Sequence, residues 1–381
     1  MAEKDRVDIG LGDEMSDFFY QGSIKTRENR PDCLDLSMDS FEGAALVKGS
    51  YFAEHINQLS FGHELDGIGT KPFIRERLNE HRGSAHDLFA MVGDDVVCRG
   101  GEIITIDTVL DVRRLDRKSK LIIEGMRGLV EGMIEAAKLS HAVVQTGEVA
   151  ELGSRVAGYG DFNYNWSGVA WFAVHRERMF TGKELQAGDS LVGLVDPGFR
   201  SNGITDVRTA LEETYGPNWH GQIEPSLGNI ALGKLVQTPS VIYAGLMTDI
   251  TGGFNPNNKE RARVSAIAHI TGGGQPSKLG RMLKRSPGLG IEIDNPIVPP
   301  NMMLHLQRLN GFSDRETYGK WHMGPGMVVA TRDPEVVIEE AKIQGVEAKK
   351  IGHVIDSREL RIKNMGAQQL EEWLTYPLAS E

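Results

Sequence analysis

The chain has 381 residues, 53 acidic against 42 basic side chains and a formal charge of −11, with 40% hydrophobic and 25% charged residues. This is close to the globular norm and excludes disorder over most of the length, while the acidic balance argues against a nucleic acid or an anionic membrane as partner. No run approaches the roughly 18 apolar residues of a spanning helix. The start, Met1 to Arg6, lacks the apolar core of a signal peptide, so a cytoplasmic protein is expected. Cys33 and Cys98 are too few for a disulfide framework. Glycine, at 45 residues with no collagen period, points to turns and close backbone approaches of the kind a ligand-binding enzyme uses.

In chain order, residues 1–30 are polar and irregular and predict a loosely held arm. His86–Val97 predicts a helix that closes at Gly100 and Gly101, and Glu102–Val109 a β-branched strand. Between Lys118 and Ser140, residues Leu121, Ile122, Met126, Leu129, Val130, Met133 and Ile134 recur at helical spacing. His141–Gln145 and Ser167–Val174 read as strands. Near residue 177 the pattern breaks, dividing residues 31–176 from 177–381. Ser190–Asp196 then predicts a strand, Ile204–Tyr215 a helix, Gly326–Thr331 a strand, Pro334 the start of a helix, and Ala348–Asp356 a strand. The expected fold class is α+β, of α/β type, in two domains.

Five stretches carry chemistry. In Asp66-Gly67-Ile68-Gly69-Thr70-Lys71 the glycines bare the backbone to an anion, with a hydroxyl, an ammonium and a carboxylate alongside; a tight turn with an exposed lysine explains the run equally well. Asp94 and Asp95 lie in an otherwise apolar helix, where a Mg²⁺ ion or a solvated helix end accounts for them. Since neighbours are about 100° apart, only one can share the buried stripe. Gly147-Glu148-Val149-Ala150-Glu151 follows a strand, and on a helical turn its two glutamates would share a face. Arg200-Ser201-Asn202-Gly203 precedes a helix and either receives a phosphate or caps that helix. His269-Ile270-Thr271-Gly272-Gly273-Gly274 follows an apolar strand, and close approach of backbone to ligand compensates for three glycines. No zinc-ligand spacing occurs among the histidines.

Taken in order, these stretches resemble the aminoimidazole ribonucleotide synthetase (phosphoribosylformylglycinamidine cyclo-ligase) family. Asp66 to Lys71 is similar to its DGVGTK, Leu88 to Asp95 to its LVAMxVND, Gly147 to Leu152 to its GETAEM, Ser201 to Gly203 to its HSNG, and Ala268 to Gly274 to its AHxTGGG. The resemblance spans about residues 60–356. It implies two α/β-type domains, the N-terminal one binding ATP and pairing with its copy in a homodimer, the C-terminal one binding a small ribonucleotide. The activity implied belongs to purine biosynthesis: the ligase phosphorylates an amide oxygen with ATP, and an internal nitrogen then closes the imidazole ring.

Position by position, the resemblance implies Mg²⁺ on Asp66, Asp95 and Glu148, and nucleotide contacts from Gly67, Gly69, Thr70, Lys71, Asp94 and Gly147. Arg200, Ser201, Asn202, Gly203 and Gly272–Gly274 would face the substrate. His269 would polarise the amide or shuttle a proton, with Lys71 and Asp95 joining in catalysis. Departures concentrate on the substrate side: the family's HSNG histidine is Arg200, its asparagine before Asp95 is Asp94, and its GGxGGF loop is replaced by Leu36 to Gly43. The N-terminal GVDIDAGN is reduced to the echo Asp8 to Gly12. A relative acting on another carbonyl or acid oxygen, or a nucleotide-binding regulatory protein without turnover, are the alternatives.

Overall fold

Alternating β-branched and helical runs build two large sheets and one two-stranded pair in this computed structural model, which describes residues 9–37 and 45–378. Most of the Leu36–Gly43 loop, and Asp8, lie outside the described residues. Two units emerge. One comprises the chain to Val96 with Gly101–Glu177 and Ile242–Gly245, and the other Val97–Gly100, Arg178–Val241 and the chain from Leu246.

The first unit contains α1 (Ile9–Lys25), the two-residue pair β1 (Leu34–Asp35) and β2 (Leu46–Val47), β3 (Leu59–Gly67), α2 (Pro72–Leu78), α3 (Gly83–Val97), β4 (Glu102–Val112), α4 (Lys120–Leu139), β5 (Gly147–Glu151) and β6 (Tyr164–His175). Its four-stranded sheet runs β3-β6-β4-β5, antiparallel except for β4 and β5, whose parallel pairing is made possible by the α4 crossover. One sheet face packs under α3: a Cβ at Gly168 would touch Leu88, and Trp166 and Ala170 on that face are buried. On the other face Phe61, Leu65 and Val109 are 41%, 70% and 43% exposed.

Three sequence expectations change here. Residues 9–25 are no loose arm: Leu11, Met15 and Phe19, four apart, form one buried helical stripe. A Cβ at Gly22 would meet Val130 Cγ1 at 2.5 Å, so this glycine lets α1 approach α4. The run 141–145 is not a strand. Val143 makes one isolated bridge to Thr105, while Ala142 O and Val144 N bond the side chains of Asn29 and Thr26. The strand begins instead at Gly147, so Glu148 and Glu151, three apart, point to opposite faces.

The second unit holds β7 (Ser190–Val195), α5 (Ile204–Tyr215), α6 (Leu232–Val236), most of α7 (Ala244–Thr251), β8 (Val264–His269), α8 (Gly274–Met282), β9 (Gly290–Ile293), α9 (Asn301–Asn310), α10 (Asp314–Lys320), β10 (Pro325–Thr331), α11 (Pro334–Ile343), β11 (Ala348–Ile355), β12 (Leu360–Lys363) and β13 (Trp373–Tyr376). The sheet order is β13-β12-β9-β11-β7-β10-β8, antiparallel apart from β12 with β9. β10 is buried along its whole length because it lies between β7 and β8 and is covered on both faces. Mixed sheets with helices packed against them make this an α+β fold, as expected. No helix among the described residues is long and apolar enough to cross a membrane.

Candidate functional site

In the first unit, β3 stops where Ile68, 1% exposed, donates its N–H to Trp166 O, and Gly69 (φ 61°) turns the chain toward α2. Asp66 is exposed at this turn, one carboxylate oxygen accepting from Gly67 N at 2.7 Å, and Thr70 is half-buried beside it. Lys71 points the other way. Its side chain is fully buried, with Nζ 2.7 Å from Asp87 Oδ1, and Arg75 takes the other oxygen at 2.5 Å. Burial raises the Asp87 carboxyl, but the two cations more than offset it and hold it below the ordinary carboxylate range. The phosphate and catalytic contacts expected of Lys71 are therefore not what this structure displays, because a desolvated ammonium needs its carboxylate. Asp87, which completes this cluster, lies seven residues before Asp94. That two-turn spacing puts both on the inner face of α3 and was the signal for it.

Asp94 is likewise buried, accepting from Tyr243 N at 2.9 Å, and so anchors the Ile242–Gly245 segment; it was expected among the nucleotide contacts. Asp95, a third of a turn further round, is half-buried. The proposed Mg²⁺ set is not assembled. In the sheet register Asp66, Gly168, Thr108 and Gly147 form one row, so Asp66 and Gly147 are three interstrand spacings, about 14 Å, apart. Glu148, the next residue, projects from the opposite face. Among the described residues, one set of three or more His, Cys, Asp or Glu groups has its ligand atoms within 4.8 Å of one another: Glu292, Asp294 and His353. There Glu292 is already paired with Arg361. The carboxylates expected to hold Mg²⁺ do not fit it as a trio within one chain.

In the second unit the expected residues do converge, for a topological reason. β7 and β8 both run antiparallel to β10, with Met327 opposite Leu194 on one side and His269 on the other. Their C-terminal ends thus leave the same edge of the sheet, bringing the loops that follow them together. Arg200 is fully buried and adopts φ 52°, a left-handed conformation uncommon for a bulky side chain. Its guanidinium donates to Asp196 Oδ2 (2.8 Å) and Val241 O (2.9 Å), and a third contact reaches His269 Nε2 (2.8 Å). Arg200 was expected to face the substrate; its charge is instead turned inward, neutralised by a carboxylate four residues earlier.

The neighbouring groups face differently. Ser201 Oγ and Asn202 Nδ2 are buried atoms with no hydrogen-bond partner. A Cβ added at Gly272 would lie 3.8 Å from Asn202 Oδ1 and touch nothing else, so the two loops leave an open cradle. Gly203 (φ 67°) and Gly273 (φ 86°) begin α5 and α8, and neither helix start carries a side-chain cap. Orphaned side-chain donors beside helix starts that no side chain caps suit an anion such as a phosphate. Gly274 is required by space as well: a Cβ there would sit 1.8 Å from Tyr318 O. His322, just before the glycine-hinged entry to β10, lies buried near Arg200. Its Nε2 donates to Gly198 O at 2.6 Å, and burial keeps the ring below its usual range.

Residues 55–170 match the N-terminal domain, and residues 186–363 the C-terminal domain, of AIR synthase related proteins. The chain belongs to this family. It is 31% identical over 301 residues, 78% of its length and 81% of the relative's, to phosphoribosylformylglycinamidine cyclo-ligase of Bifidobacterium animalis subsp. lactis. It is also 31% identical over 294 residues, 76% of its length and 75% of the relative's, to the cyclo-ligase of Nitrosococcus oceani. Among solved structures, the hydrogenase maturation protein HypE in complex with ATP superposes with a TM-score of 0.57 at 12% identity, covering 100% of this chain and 96% of that one. That likeness establishes the AIR synthase-type fold.

Proposed function

We propose that this protein is an ATP-dependent cyclo-ligase that converts formylglycinamidine ribonucleotide to aminoimidazole ribonucleotide. The observation that carries the reading is the cradle between Ser201–Gly203 and Gly272–Gly274, where two uncapped helix starts and two orphaned polar atoms await an anionic group. A ribose phosphate supplies that group, and family membership supplies the rest of the substrate. ATP belongs to the first unit, against the Gly67–Thr70 turn, where the exposed Asp66 is the carboxylate retained for a nucleotide-bound Mg²⁺. That ion is commonly held by one or two carboxylates together with substrate phosphates. The γ-phosphoryl group passes to the amide oxygen, leaving ADP; the ring-forming nitrogen attacks the activated carbon, expels phosphate and loses a proton. Positioning and charge stabilisation account for most of the acceleration in such transfers.

A homodimer is part of this proposal. The uncovered sheet face presents Leu65, Val109 and Phe61, the last stacked on Trp171 at 5.4 Å, and a second copy of the same face is the partner that shields them.

The test is to follow ADP and aminoimidazole ribonucleotide together, with purified protein, Mg²⁺–ATP and formylglycinamidine ribonucleotide. One-for-one formation supports the cyclo-ligase. Nucleotide binding without substrate-dependent turnover overturns it, in favour of a relative with another carbonyl or acid acceptor. That second reading has its own support in Arg200, which stands where the family motif has histidine.

A further inference from the structure

Arg200 and His269 together leave one arrangement of protons. Both side chains are buried, 0% and 2% exposed, and Arg200 Nη2 lies 2.8 Å from His269 Nε2. A guanidinium has donors only and does not deprotonate in proteins, so in this pair Arg200 donates and Nε2 offers its lone pair. A neutral imidazole then carries its proton on Nδ1. A second proton, on Nε2, would set two N–H donors and two positive charges against each other at hydrogen-bond distance, with Asp196 the carboxylate bonded to Arg200 there.

Asp196 accepts from Arg200, Gly198 N (2.9 Å) and Val241 N (3.0 Å), and these three bonds fix its orientation toward Arg200 rather than His269. Nor does His322 relieve the pair. Its own proton is committed to Gly198 O, while its Nδ1 accepts from Gly324 N at 3.1 Å. Two neighbouring imidazoles are therefore held as opposite tautomers by fixed partners.

We propose that Arg200 is a positioning residue that locks His269 as the Nδ1–H tautomer. His269 thereby becomes a neutral hydrogen-bond donor and is barred from carrying a proton on Nε2. Resting on the cyclo-ligase reading, this resolves the two roles open to His269: it polarises the acceptor oxygen through Nδ1–H and does not shuttle the proton lost on ring closure. The left-handed backbone of Arg200 is the local strain that aims the guanidinium, held by its bonds to Asp196 and Val241.

The test is a long-range ¹H–¹⁵N correlation spectrum of protein labelled with ¹⁵N-histidine, with His269 assigned by its loss in His269→Gln. The expected wild-type signal is one protonated Nδ1 and one unprotonated Nε2. A proton on Nε2, or on both nitrogens, overturns the proposal without any variant having to fold. In Arg200→Met the fixed tautomer is expected to disappear and kcat to fall about 10²-fold with little change in KM. Arg200→Lys, another obligate donor, should restore the wild-type pattern where it folds with a wild-type melting profile. A retained Nδ1–H signal in Arg200→Met shows that something else sets the tautomer and likewise overturns it. Wild-type protein with the locked tautomer but no ring closure sinks the cyclo-ligase reading and leaves the lock standing.

Discussion

The two units treat their charged residues in contrasting ways. In the first, Lys71 and Arg75 share Asp87 inside the core, while Asp66 and Glu148 lie on opposite edge strands of the sheet. In the second, Asp196, Arg200 and His269 form one connected network at the junction of two loops, with unbonded donors beside it. In the second unit, Ser201 Oγ and Asn202 Nδ2 stay unbonded beside helix starts that no side chain caps, the arrangement on which the proposed phosphate site rests. In the first, buried charge serves the fold, and the exposed carboxylates are too far apart to form a centre without a nucleotide to gather around.

The largest effect expected from breaking this contrast is Asp87→Ala. It removes the carboxylate shared by two buried cations and should destabilise the chain by about 3–5 kcal/mol or more, against about 3 kcal/mol for Asp196→Ala, which takes a carboxylate from one. Urea midpoints compare them directly, and equal losses would deny Asp87 its double role.

Next comes pH. His81 is buried against Tyr164 and Asn79, and burial, aided by Arg75, lowers its pKa from 6.5 to about 4. The unfolded chain therefore takes up the proton first as pH falls. The stability of the first unit is full above pH 6.5 and drops by about 3 kcal/mol on the way to pH 4, at about 1.4 kcal/mol per unit. In His81→Gln this part of the slope should vanish; an unchanged slope assigns it elsewhere.

The glycines of the cradle offer a narrower comparison. Gly274→Ala combines a left-handed residue with a backbone clash and should cost about 2–3 kcal/mol. Gly272→Ala has room, so it should leave the melting temperature unchanged and raise KM for the ribonucleotide by partly filling the space beside Asn202. Equal KM for Gly272→Ala and wild type would move the substrate away from this loop.

The gentlest change is Leu65→Asp on the uncovered sheet face. It should leave the urea midpoint of the chain nearly as it was while halving the mass measured by light scattering. A dimer that survives it places the contact on another surface.

What the sequence determined by itself was many of the elements and the order of the motifs. Periodicity located α3, α4 and α5 and the strands β4, β6, β7, β8, β10 and β11, because apolar spacing records which face is buried, while β3, β5, β9, β12 and β13 went unread. The glycine-rich signatures marked the loops at Gly69, Gly203 and Gly272–Gly274, because only glycine suits such turns and approaches. It misread residues 9–25, whose stripe of Leu11, Met15 and Phe19 is thin and diluted by polar neighbours, and 141–145, where pairing with β4 is confined to Val143 and the flanking backbone groups bond the side chains of Asn29 and Thr26. Only the tertiary structure decided where the charges point. Lys71 and Asp66 are five residues apart in one motif, yet one is buried against Asp87 and the other exposed, because Asp87 arrives from a helix the local sequence does not encode. In the same way Arg200 meets His269 because β7 and β8 flank β10 and end at one edge of the sheet, a long-range pairing that no local pattern of residues records.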